Sequence, residues 1–270
     1  MKRLFTYLGS LLILLTAAAA PAAAQHTLGL YGGYGMGTAR FYPKQENRTT
    51  WGLYTAGISW RHYGSQRGVG GFGVDLELLQ SAYSYAPYAS ITENEEDYQY
   101  YSRRLNTLTM PIVWQPHVYI AHRVRIFLEA AVTFSYRFAS TYENELYRDA
   151  GYEEWKGKYE FKTARDNRWG YGLAGGGGVA VLFGRFEVGA RVRYYFGLGD
   201  ILRNRNKYAD NSIDGPENPF WGTPLRSPLD NLTISIGVAY RFNKEGFNSW
   251  RIKPPKHERS QGFHYQGADR

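Results

Sequence analysis

The 270-residue sequence contains no cysteine and only six histidines, and after residue 25 nothing approaches the roughly 20 consecutive apolar residues of a membrane-spanning helix. Each absence removes a class. Without cysteine there are no disulfides, so outside the cytosol stability has to come from burial and hydrogen bonding. A cysteine-anchored lipoprotein is excluded, and a zinc site is remote. The missing apolar run excludes an α-helical membrane protein. Lysines and arginines nowhere cluster with interleaved stacking aromatics, which argues against nucleic acid as a partner. The glycine-rich stretches 32–37 and 175–178 lack both the Lys-Ser/Thr and the helix of a phosphate-binding loop.

What the chain has instead is 17% aromatic residues, with 24 Tyr and 7 Trp, and 31 Gly. That mixture suits strands and tight turns. Met1-Lys2-Arg3 is a short basic start, residues 8–20 are apolar, and Ala22 and Ala24 occupy small-residue positions before Gln25. This order is expected of a secretory signal peptide cleaved after Ala24. Loss of Lys2 and Arg3 would lower the formal charge from +8 to +6.

The dominant pattern is alternation with a period of two, which places residues i and i+2 on one face of a strand. Around residue 130, Val124, Ile126, Leu128, Ala130, Val132, Phe134 and Tyr136 oppose Arg125, Phe127, Glu129, Thr133, Ser135 and Arg137. Residues 69–79 set Phe72, Val74, Leu76 and Leu78 against Asp75 and Glu77. Residues 185–196 and 231–242 repeat the scheme, and 28–37, 52–62, 105–115 and 169–181 carry weaker versions. Eight strands follow, an even number. The connections alternate long and short: turns at 64–68, 115–121 and 183–184, and loops at 38–50, 80–104, 139–168 and 197–228. The expected fold is an all-β, eight-stranded antiparallel transmembrane up-and-down β-barrel over residues 25–242, with short periplasmic turns and long outer loops. Trp51, Trp60, Trp114, Tyr136, Trp169, Tyr171, Tyr194 and Phe196 sit near strand ends, where amphipathic rings form interfacial girdles. Residues 243–270, with Pro254-Pro255, lack periodicity and are expected to form a disordered periplasmic tail.

Eight strands enclose a lumen that side chains can fill. The inward faces of strands one and six are mostly Gly and Ala, leaving volume for arginines on neighbouring strands. Buried charges persist only when paired. A lumenal charge network of Asp75, Glu77, Arg125, Glu129, Arg137, Glu187, Arg191 and Arg193 is therefore expected, read as structural filling, with a solute or proton path as the alternative. All six histidines fall at the periplasmic end or in the tails, so no outer-rim histidine could activate a serine; carboxylate chemistry is not excluded by this. No catalytic, metal or cofactor site is assigned. Three outer loops are polar and tyrosine-rich or charged. They include Tyr83, Tyr85, Tyr88, Tyr98, Tyr100 and Tyr101, then Glu153, Glu154 and Trp155, then Arg203, Arg205 and Lys207. They could form a binding surface or pack on the barrel mouth.

The run Gly-Val-Asp-Leu-Glu-Leu-Leu at 73–79 and the segment 105–114 with Met110-Pro111-Ile112 resemble the PorT-like, porin-family outer-membrane β-barrels of Gram-negative bacteria. So do residues 191–198 and the closing Ile-Gly-Val-Ala-Tyr-Arg-Phe at 236–242. The resemblance covers residues 26–242. It implies the barrel fold, an outer-membrane location, no catalytic residues and, from the family's namesake, an association with protein secretion. The reading is a non-enzymatic envelope scaffold or secretion-associated interaction protein, with outer-membrane lipid, lipopolysaccharide and envelope or secretion-complex proteins as expected partners. A small-solute pore or binding protein, a lipid-modifying enzyme and a secreted soluble barrel are the rival readings.

Overall fold

The computed structural model describes residues 25–63, 70–92, 95–120, 123–163, 165–203 and 225–242, so the expected signal peptide and tail lie outside the described residues. Eight long strands dominate: β1 Gln25–Ala39, β2 Thr50–Tyr63, β3 Gly71–Thr92, β4 Glu95–Gln115, β5 Val124–Asn144, β6 Trp169–Phe183, β7 Phe186–Asp200 and β8 Pro228–Arg241. Each pairs antiparallel with the next in sequence. The sheet then closes, because β8 returns to β1 with Leu30 opposite Val238 and Gly33 opposite Ser235. Closure leaves no free edge along the barrel wall.

The alternation decides which way side chains point, and it is opposite to that of a water-soluble core. Leu30, Leu76, Leu128, Ile234 and Ile236 are exposed on the outer wall, Ile236 at 68%. Asp75, Glu77, Glu129 and Arg193 are buried inside, Asp75 at 0%. Such an inverted arrangement is stable only if the outer wall meets lipid.

Glycine lets the wall curve tightly at the β6–β7 seam. A Cβ on Gly176 would lie 2.2 Å from the Val192 carbonyl oxygen, and one on Gly178 equally close to that of Ala190. Backbone cannot yield at that distance, so these two positions require glycine.

Several boundaries differ from the sequence expectation. Residues 80–104 and the start of 139–168 were expected as loops, but β3, β4 and β5 run on through 92, from 95 and to 144. Their outward side chains change from Leu78 and Leu108 to Gln80, Asn106 and Arg104, so the apolar alternation fades while the hydrogen-bond ladder continues. At the other end, the turn expected at 115–121 is tighter. After Pro116, which has no N–H to give, His117–Ile120 resumes pairing with β5, His117 opposite Phe127. Beyond β5 a single helical turn, α1 Glu145–Asp149, is capped by the Asn144 side chain, which accepts from the Leu146 N–H at 3.2 Å.

Candidate functional site

The lumen is filled in layers. At mid-height Arg193 is surrounded by carboxylates: its Nη1 lies 2.9 Å from Asp75 Oδ2 and 3.6 Å from Glu77 Oε2, and its Nη2 lies 2.6 Å from Glu129 Oε2. Arg61 reaches Asp75 Oδ1 at 2.5 Å and Glu129 Oε1 at 3.6 Å. Arg191 reaches the same two residues at 3.3 and 3.6 Å. Three guanidinium groups thus face three carboxylates, and the cluster is neutral. Hydroxyls satisfy the remaining acceptors, with Tyr31 and Tyr195 donating to Glu77 Oε2 at 3.1 and 2.5 Å and Thr55 donating to Oε1. Such satisfaction is the condition under which buried charge is tolerated.

Toward the short-turn end, Arg125 pairs with Glu187 and lies 4.7 Å above the Tyr63 ring. Tyr63 donates to Gln115 Oε1 at 2.6 Å, and Gln115 donates to Glu129 at 3.0 Å. This pair is therefore a separate layer linked to the central cluster through two side chains.

Toward the long-loop end, the strand extensions close over the lumen. Phe41, Tyr83, Tyr85, Tyr101, Leu105 and Tyr142 form a buried cap with Tyr159 and Leu202. Arg103 runs through it, 3.4 Å from the Tyr159 ring centroid, bonded to Ser140 Oγ at 2.8 Å and to Asp166 Oδ1 at 3.1 Å. Asp166 also accepts from Tyr159 at 2.9 Å and from the Lys162 N–H at 2.8 Å. Burial holds the Tyr159 phenol above its ordinary range, so it stays a donor to Asp166.

Of the residues singled out from sequence, Asp75, Glu77, Glu129, Arg191 and Arg193 come together, and Arg125 and Glu187 form their own pair. Arg137 joins neither: it donates to the carbonyls of Asn167 at 2.6 Å and Trp169 at 3.3 Å. The sequence reading does not include Arg61 and Tyr31, although alternation with the adjacent outward residues Trp60 and Leu30 places both inside. Tyr159 and Asp166 lie in a connection with no periodicity and left no signal. Trp51, Trp114, Trp169, Tyr171, Tyr194 and Phe196 are exposed on the wall near its ends, and Trp60 and Tyr136 are partly covered there. Tyr83, Tyr85 and Tyr101 turn inward into the cap, whereas Tyr100 lies outside beneath the Arg48 guanidinium at 4.0 Å. The side chains of Tyr88 and Tyr98, with Arg205 and Lys207, lie outside the described residues. His26, His62 and His117 all sit at the short-turn end.

The family of outer membrane protein beta-barrel domains matches residues 23–203, two thirds of the chain. The chain belongs to this family. It is an outer-membrane protein of a Gram-negative envelope. No curated protein matches it at a significant level. Similar solved structures include the attachment invasion locus protein Ail of Yersinia pestis, at 10% identity, covering 82% of this chain and 99% of Ail with a TM-score of 0.36. Neisserial surface protein A is similar at 9% identity, covering 81% and 98% with a TM-score of 0.39. The toluene transporter TodX of P. putida is similar at 12% identity, covering 84% of this chain and 91% of TodX, with a TM-score of 0.24.

Proposed function

We propose that this outer-membrane barrel is a non-enzymatic protein that works by contact, as an envelope scaffold or secretion-associated interaction protein, and that its lumen is a plug. One observation carries the reading. The lumen is occupied by the neutral ionic cluster and the aromatic cap, while β3, β4 and β5 continue past the apolar belt as a projecting sheet. Chain beyond the membrane adds nothing to insertion, so its ordered pairing fits a surface held out for a partner. The exposed acidic and aromatic side chains Glu143, Asp149, Tyr152, Glu153 and Glu154 lie on the same side of the membrane. The resemblance to PorT-like barrels supports a secretion-associated partner. On this reading residues 1–24 are removed on export and residues 243–270 remain in the periplasm. Exposed basic residues such as Arg104 and Lys158, above the belt, suit contact with lipopolysaccharide phosphates.

The test replaces residues 86–100 by an Asn-Gly turn between Tyr85 and Tyr101. The barrel should still insert, and a stoichiometric envelope partner recovered with the wild type from detergent extracts should be lost. An unchanged complex, or a large steady conductance of the wild type in planar bilayers, would sink the proposal, the latter in favour of a small-solute pore.

A further inference from the structure

Between the central ionic cluster and the aromatic cap lies a cavity of about 40 Å³, lined by Ser81, Thr107, Thr109, Ser135, Arg137 and Asn231. On this measure a water needs about 10–15 Å³, so a small solute fits. Four of these residues form a contiguous patch on adjacent strands, because Thr107 is opposite Arg137 and Thr109 opposite Ser135 in the β4–β5 ladder. The hydroxyls of Thr107 and Thr109 are buried and have no hydrogen-bond partner. Across the cavity, Asn231 donates to Ser81 Oγ at 2.9 Å, and its own Oδ1 is unpartnered.

The charge is unbalanced at the same place. The central cluster is neutral and Arg125 is matched by Glu187, but Arg137 is buried with no carboxylate within 4 Å among the described residues. Above it, buried Arg103 is matched by Asp166, while buried Arg165 donates to the Tyr159 hydroxyl and has no carboxylate within 4 Å among the described residues. The outer half of the lumen is therefore positive, and a desolvated cation without a counter-charge is costly. Two orphaned hydroxyl donors beside that cation are complementary to a negative charge, not to another cation.

We propose that this cavity is a binding site for a small monovalent anion of the halide class, held by Arg137 with Thr107 and Thr109 as hydroxyl donors. The anion supplies Arg137 with a counter-charge and leaves the Asn231 carbonyl to a co-bound water. The cavity is partly open beside Tyr171 and Phe196 of the wall, and the anion held in it acts as a structural ligand.

The full chain without its leader is refolded from urea into detergent micelles containing sodium chloride, sodium bromide or sodium gluconate at equal ionic strength. The expected result is a saturable rise of a few degrees in Tm in chloride and bromide over gluconate, which is too large to enter. Arg137→Gln should erase the difference between the salts. If that variant does not fold, Thr107→Val/Thr109→Val keeps the charge and loses both donors, and the halide concentration for half-effect should rise about tenfold. Crystals grown in bromide should show an anomalous peak between Arg137 and the two threonines. Coincident wild-type melts in all three salts, a halide response unchanged in the variants, or water alone at that position would each overturn the proposal.

Discussion

Arg193 holds Glu129 with two donors on one oxygen, Nε at 2.9 Å and Nη2 at 2.6 Å from Oε2. The two residues come from β7 and β5, which are separated in the wall by β6. The glycines of β6 make this reach possible, since Gly176 stands opposite both Arg193 and Glu129 and offers no side chain between them.

Arg193→Met should destabilise the barrel by about 3–5 kcal/mol, because it leaves buried carboxylates short of a counter-charge. Arg193→Met/Glu129→Gln removes one charge of each sign and should be more stable than Arg193→Met alone. Equilibrium urea unfolding in lipid vesicles, followed by tryptophan fluorescence, reads both. Additive losses would show that the two residues are not coupled.

Neighbouring glycines of β6 should respond in opposite ways. Gly176→Val places a Cβ 2.2 Å from the Val192 carbonyl oxygen and should block closure, seen as loss of the heat-modifiable band on electrophoresis. At Gly175 the nearest atom to an added Cβ is the Glu129 carbonyl oxygen at 3.8 Å, so Gly175→Ala should fold with stability unchanged within about 0.5 kcal/mol. Normal folding of Gly176→Val would mean that the seam is looser than described.

The outer wall offers a third test. Ile236→Arg puts a charge in the apolar belt and should cost about 2–4 kcal/mol in vesicles. Arg104, on the outward face of β4 above the belt, already lies in water, and Arg104→Ala should change stability by less than about 0.5 kcal/mol. Equal effects at the two positions would contradict a membrane boundary between Leu108 and Arg104.

Parity along each strand was legible without coordinates. Once Leu76 and Leu78 are set outward, Asp75 and Glu77 must point inward, and the same rule places Arg61, opposite in face to Trp60. The extended part of β3 and β4 was illegible for a related reason: above the belt both faces are polar or covered, so the alternation that marks a strand disappears although the ladder from Gln80 opposite Asn106 to Thr92 opposite Glu95 persists.

The sequence alone therefore determined an exported-type β-barrel, its strand number and the face of nearly every wall residue, because a strand's period of two is a local property. Only the tertiary structure decided that Arg193 meets Glu129, that Arg137 has no carboxylate within 4 Å among the described residues, and that Tyr159 and Asp166 close the long-loop mouth. Those contacts depend on the registers of strands far apart in the chain and on how a connection folds back over the lumen, and neither is encoded in any short stretch of residues.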